Sequence, residues 1–185
     1  MANVDQYLKL DGIKGSSTDS KHKDELELMA HRWGVTQMTA IGSAQTGVSA
    51  GKSRAGHLIC LKKCDVASPK LFVQCAAGQP IATATLVIRR AGKDQQEFCT
   101  YTFTNCLVAS YYTSIGFQIE ASDEKGISWC EESNIENPTS TGGFQYEYFA
   151  LSYGALKFEF KSQNNDGTLG GAVSGQYSFQ TNTSS

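Results

Sequence analysis

The chain has 185 residues, with 16 Lys plus Arg against 18 Asp plus Glu and a formal net charge of −2. That balance excludes a generic nucleic-acid binder, which needs a basic excess to displace counterions. Its apolar fraction of 40% is too high for a disordered chain, and no apolar run approaches the ~18 residues that would cross a bilayer.

The length suits one domain over residues 1–185. No basic stretch followed by an apolar one opens the chain, so no secretory signal is expected. Charge is uneven: residues 1–93 carry a net +6 and residues 94–185 a net −8. Interleaved strands would mix the two halves. Separate faces would instead suit head-to-tail self-association.

Leu8-Lys9-Leu10 reads as a strand closed by Asp11-Gly12, and residues 15–20 read as a loop. Residues 24–33 alternate first on Leu26 and Leu28, then on Met29, His31 and Trp33. A strand changes phase in this way through a β-bulge. Gly34 ends the segment. Residues 42–56, GSAQTGVSAGKSRAG, are polar and Gly/Ser-rich. They read as an extended loop, too long for a tight hairpin turn, of the kind that is usually functional or disordered.

Residues 57–61 look like a strand. Ser68 as N-cap, Pro69 at the first turn and Gly78 past the end predict a short helix over about residues 69–77. Its apolar side is expected to be Leu71, Phe72, Cys75 and Ala76. Residues 81–90 and 97–108 predict a hairpin of half-buried strands. Arg89, Arg90 and Lys93 are expected at its solvated tip. Residues 117–143 are polar and acidic. Residues 147–161 predict the longest strand, with a phase switch at Gly154-Ala155 where a bulge would turn a barrel corner. Residues 162–185 form a polar C-terminal segment in which residues 176–180 are a last short strand. Many strands and one helix predict a mainly β chain, a single β-barrel with a flanking helix.

Six cysteines, Cys60, Cys64, Cys75, Cys99, Cys106 and Cys130, include no CxxC pair. They are expected to be reduced and free of metal, as small buried hydrophobes. No HExxH or Walker loop is present, and the only histidines are His22, His31 and His57. No catalytic residue and no cofactor is therefore expected, and the chain is read as not an enzyme.

Several segments in order resemble the Hcp family, the haemolysin-coregulated proteins of the bacterial type VI secretion inner tube. These are YLKLDGIKGS from Tyr7, HKDELEL from His22, Trp33-Gly34-Val35, Asp65 with Ser68-Pro69-Lys70-Leu71, LVIRRAG from Leu86, and the strand from Phe149 to Phe160. The resemblance covers about residues 4–161. Six cysteines, His31 at a position where an aromatic is common, and the long acidic residues 117–143 depart from the family pattern.

The resemblance implies a β-barrel of two packed antiparallel sheets and a homohexameric ring that stacks into a tube. A contractile sheath, a tip spike protein and small effectors in the lumen are the implied partners, with neither nucleic acid nor membrane insertion. Such a protein stays in the bacterial cytoplasm until firing and is then secreted without a cleaved signal peptide. The family's extended loop falls on residues 42–56, making Ser43, Gln45, Thr46, Val48, Lys52 and Arg54 the expected subunit contacts. Gly34, Asp65, Ser68, Pro69 and Gly154 are the expected structural positions. The alternative reading is a small-molecule-binding β-barrel.

Overall fold

The computed structural model describes residues 4–40, 49–90, 95–114, 145–164 and 167–184. The strands are β1 (Val4–Leu10), β2 (Leu26–Glu27), β3 (Ala30–Arg32), β4 (Val35–Ala40), β5 (Ser49–Ala55) and β6 (Leu58–Lys63). Helix α1 (Ser68–Ala77) follows, then β7 (Pro80–Arg90), β8 (Glu97–Ser114), β9 (Tyr146–Ser152), β10 (Ala155–Gln163), β11 (Leu169–Ser178) and β12 (Thr183–Ser184). The predicted acidic residues 117–143, the hairpin tip around Lys93 and Cys130 lie outside the described residues.

Hydrogen bonding passes full circle. β1 pairs β7, β7 pairs β8, β8 pairs β9, β9 pairs β6 and β6 pairs β3, all antiparallel. The circle closes through the short segment that carries β2 and β3. β2 pairs β1, and the Leu28 N–H donates to the Gln6 carbonyl on that side. One residue on, the Met29 N–H donates to the Leu61 carbonyl of β6. The predicted phase change at residues 28–29 is this handover between two partner strands. His31 and Trp33 turn their rings toward Tyr101, whereas Met29 is exposed.

The interior is filled by side chains with no water contact, among them Leu8, Leu26, Leu58, Leu86, Phe103 and Phe149. Burying each such side chain contributes roughly 1.5–3 kcal/mol. The inward phase of β6 runs Leu58, Cys60, Lys62, opposite Leu151, Phe149 and Glu147 of β9. An ion pair thus occupies the last core layer. Lys62 is 1% exposed and Glu147 is 0% exposed. The Lys62 ammonium donates to Glu147 Oε1 at 2.5 Å, Asp65 Oδ1 at 2.7 Å and the Lys63 carbonyl at 2.8 Å. Tyr111 donates its hydroxyl to Glu147 Oε2 at 2.7 Å. Every proton of the ammonium is therefore used, which a buried charge requires.

Asp65 also builds the helix entrance. Its Oδ1 accepts the Ala67 N–H, and its own N–H donates to Ser68 Oγ at 2.9 Å. Ser68 is thus the first helical residue, with Ala67 at the cap position and no side-chain cap bond from it. The Ser68 hydroxyl is committed backwards to the turn rather than forwards to the helix. Pro69 occupies the first turn, and Gly78 closes the helix at φ 61°, where left-handed backbone favours glycine. The expected apolar face is narrower than the spacing implies. Leu71 is buried and Cys75 half-buried, but Phe72 and Ala76 are exposed.

β8 is the strand at which the large sheet branches. One edge pairs β7. The other pairs β10 through Cys99–Thr104 and then β9 through Leu107–Ser114. At the changeover Asn105 has φ 55°. Opposite it the chain breaks between β9 and β10, and the Gly154 N–H donates to the Thr104 carbonyl at 2.9 Å. A Cβ at Gly154 would come within 2.6 Å of the Gln180 side chain. Beyond β10 the sheet continues to β11 and β12.

The sequence reading makes Arg89 solvated, and the structure corrects this. Arg89 is 2% exposed. Its Nη2 donates to Asp19 Oδ2 at 2.6 Å and to the Tyr7 hydroxyl at 2.8 Å, and its Nε donates to Asp5 Oδ2 at 3.1 Å. Residues 11–25 form a strap folded down over this cluster, since Asp19 belongs to the strap while Asp5 and Tyr7 belong to β1. The Arg89 hydrogen bond, followed by the Lys21 backbone N–H, lowers the Asp19 carboxyl to about 2.

Glu147→Gln leaves the buried Lys62 short of a counter-ion and should destabilise the fold by about 3–5 kcal/mol, read as a lower urea midpoint. The double change Lys62→Met with Glu147→Leu should recover much of that loss. For Asp19 the folded-state value is depressed, so its contribution is full above the ordinary carboxyl value and is lost as pH falls through about 2. Asp19→Asn should flatten the fall in thermal midpoint between about pH 4 and pH 2.

Candidate functional site

The expected extended loop over residues 42–56 is partly a strand. Ser49–Ala55 is β5, which returns along β4 as a hairpin. Lys52 and Arg54 belong to β5 and are exposed; Ser43, Gln45, Thr46 and Val48 lie outside the described residues. Small and polar residues hide the strand, because a two-stranded arm without a core face needs no apolar alternation. Its register runs Val35 to Ala55, Thr36 to Arg54 and Gln37 to Ser53, then shifts before Thr39 to Ala50. Gln37 donates Nε2–H to the Gly51 carbonyl at that shift. Met38, at the same place, is 76% exposed.

The hairpin forms a two-stranded sheet of its own. It is rooted by the Gly56 N–H donating to the Gly34 carbonyl at 2.8 Å. A Cβ at Gly56 would sit 3.2 Å from that carbonyl oxygen, so glycine permits the close approach. An isolated two-stranded hairpin is only marginally stable and leans on packing. Here Val35, Gln37 and Ser53 face Leu156, Phe158 and Tyr177 across a groove of about 380 Å³. Trp33 at its base sets its ring edge against Tyr101, which stacks on Phe158. Among the described residues, no charged side chain lines this groove.

An open edge belongs to β11. The expected polar, loop-like residues 162–175 are largely strand: β10 runs to Gln163, and β11 spans Leu169–Ser178 paired along β10. Three glycines among its ten residues, LGGAVSGQYS, conceal the alternation. On its other side β11 pairs β12 only at Tyr177 and Ser178. Among the described residues, no other strand covers that edge. The segment has neither charge nor proline, and Val173 is 74% exposed. Natural edges are normally blunted by such residues, so an uncharged open edge is a pairing surface.

The chemistry elsewhere is quiet. Burial pushes the Cys106 thiol up to about 11, and the Cys60 and Cys99 thiols also rise, which removes the reactive thiolate. Burial likewise lowers His31, whose Nδ1 lies 2.7 Å from Gln6 Oε1, and lifts Tyr101 to about 12. Among the described residues, no three His, Cys, Asp or Glu side chains are arranged to hold a metal, and no helix is long and apolar enough to cross a membrane.

A protein-family model described as type VI secretion system effector, Hcp, matches residues 7–160. The chain is 28% identical over 170 residues to the protein hcp1 of Pseudomonas aeruginosa, covering 91% of this chain and 90% of that protein. It superposes on a solved type six secretion system protein with a TM-score of 0.79 at 28% identity, over 99% of this chain and 100% of the other. Hcp1 from Salmonella typhimurium gives a TM-score of 0.70 at 31% identity, over the whole of both chains. The hydrogen-bonded β-barrel with its flanking helix, the segments in family order and these likenesses together make the chain a member of the Hcp family of the type VI secretion system.

Proposed function

We propose that the chain is a ring subunit of a type VI secretion inner tube, six copies closing head to tail and the rings stacking. The observation that carries this reading is the pair of unlike pairing surfaces on one chain: a hairpin arm standing off the barrel, and the uncharged open edge of β11. A surface meeting a different surface on the next copy makes a heterologous interface, and such interfaces close into rings when the rotation allows. The unequal charge of the two halves supports a directed contact. In this reading the tube is exported with the spike, the contractile sheath drives it, and small effectors ride in the lumen. The chain performs no catalysis. The barrel interior, packed with Leu8, Phe103 and Phe149, gives little support to the reading of a ligand held inside the barrel.

Light scattering of the purified protein should give six times the 20.0 kDa of one chain. Only monomer at micromolar concentration would overturn the reading. Replacing residues 43–55 by a short glycine linker should leave the barrel folded and reduce ring formation or stacking. An unchanged assembly would reduce the arm to a surface feature. Val173→Lys places a charge on the β11 edge and should weaken assembly without lowering the thermal midpoint of the monomer.

A further inference from the structure

We propose that His22 is an acid-tightened latch that fastens the strap of residues 11–25 to the start of β8. The imidazole is 4% exposed, and each of its nitrogens faces a carboxylate. Nδ1 lies 2.9 Å from Glu25 Oε2 within the strap. Nε2 lies 3.5 Å from Glu97 Oε1 at the first residue of β8 and has no hydrogen-bond partner. A neutral imidazole carries one N–H, so it serves one carboxylate and turns a lone pair on the other. Protonation supplies the second donor, and the two carboxylates are then bridged through one ring.

The remaining charged groups around the ring leave this role to His22. From β1, Tyr7 stacks on it with centroids 4.3 Å apart and planes 6° apart. From β7, Arg89 lies over the Tyr7 ring at 4.7 Å, its charge engaged by Asp5 and Asp19. Within the strap, Asp19 Oδ1 accepts the His22 backbone N–H. The stack fixes the plane of the imidazole and so aims both nitrogens. Glu97, more exposed than Glu25, is the partner that binds and releases.

The strap is closed by three backbone bonds, from Gly15 to Asp24, Ser17 to Glu25 and Asp24 to Ser17, so its amide exchange reads the latch. Passing from about pH 8 to pH 5.5, the range in which imidazoles change charge, should raise the protection of residues 15–24 on the order of tenfold after correction for intrinsic exchange. Peptides from β7 serve as the internal reference. This sign is opposite to that of Asp19: the latch is engaged in acid and released as pH rises. In His22→Gln the change should vanish. In Glu97→Gln, which keeps the Glu25 contact and serves if the first variant misfolds, it should shrink. Nitrogen-15 shifts should show both His22 ring nitrogens protonated at pH 5.5. Equal strap protection at the two pH values, the same change in His22→Gln as in the parent, or a bare Nε2 at pH 5.5 would overturn the latch.

Discussion

A single buried ammonium constrains much of this structure. Lys62 sits in the inward phase of β6, where an aliphatic side chain would otherwise stand. Carrying its charge there is tolerable only with three acceptors in place, two from Lys63 and Asp65 just after it and one from Glu147 of β9. Glu147 fixes the register of β9 against β6, because the two residues face each other across the ladder. Asp65 fixes the turn that launches α1. Tyr111, through Glu147, brings in the far half of β8. A slip of β9 by one residue would turn Glu147 outward and leave the ammonium without it. Hydrophobic alternation alone distinguishes the two registers less sharply, since Tyr148 and Ala150 on the opposite face of β9 are also buried.

The barrel was legible in the sequence wherever one face of a strand meets the core and the other does not. β1, β7 and the first half of β8 follow that pattern, and so does the helix stop at Gly78. The segment around Leu28 was legible as a change of phase, although its cause is a change of partner strand. Helix entry was legible in composition but not in the role of Ser68: with Asp65 it forms the turn, and it does not cap the helix.

Two kinds of element escaped sequence reading for physical reasons. β5 and β11 are strands whose side chains are small or polar, because each belongs to an edge rather than to a core. Their strand character lies in backbone pairing, which leaves no hydrophobic period to read. Arg89 escaped for the converse reason. It lies beside Arg90 in a turn-like sequence, and its burial depends on Asp19, 70 residues earlier in the chain. The strands on open edges were therefore the least visible, since an open edge and a solvated loop have similar compositions.

β8 stands where the large sheet branches, pairing β10 along one half and β9 along the other, and this has a mechanical consequence. Its first half is registered with β10 over six residue pairs, from Cys99 with Phe160 to Thr104 with Ala155. Its second half continues into the barrel wall. A force applied along the outer sheet therefore loads the β8–β10 ladder in shear, so that its hydrogen bonds yield together rather than one by one. The same strand carries the load onward past Asn105 into the wall shared with β9 and β7. Tension along this direction is borne by the barrel as a whole, whereas a force peeling β11 away at right angles opens its ladder bond by bond. The fold is stiff along the strands and weak across its outer edge.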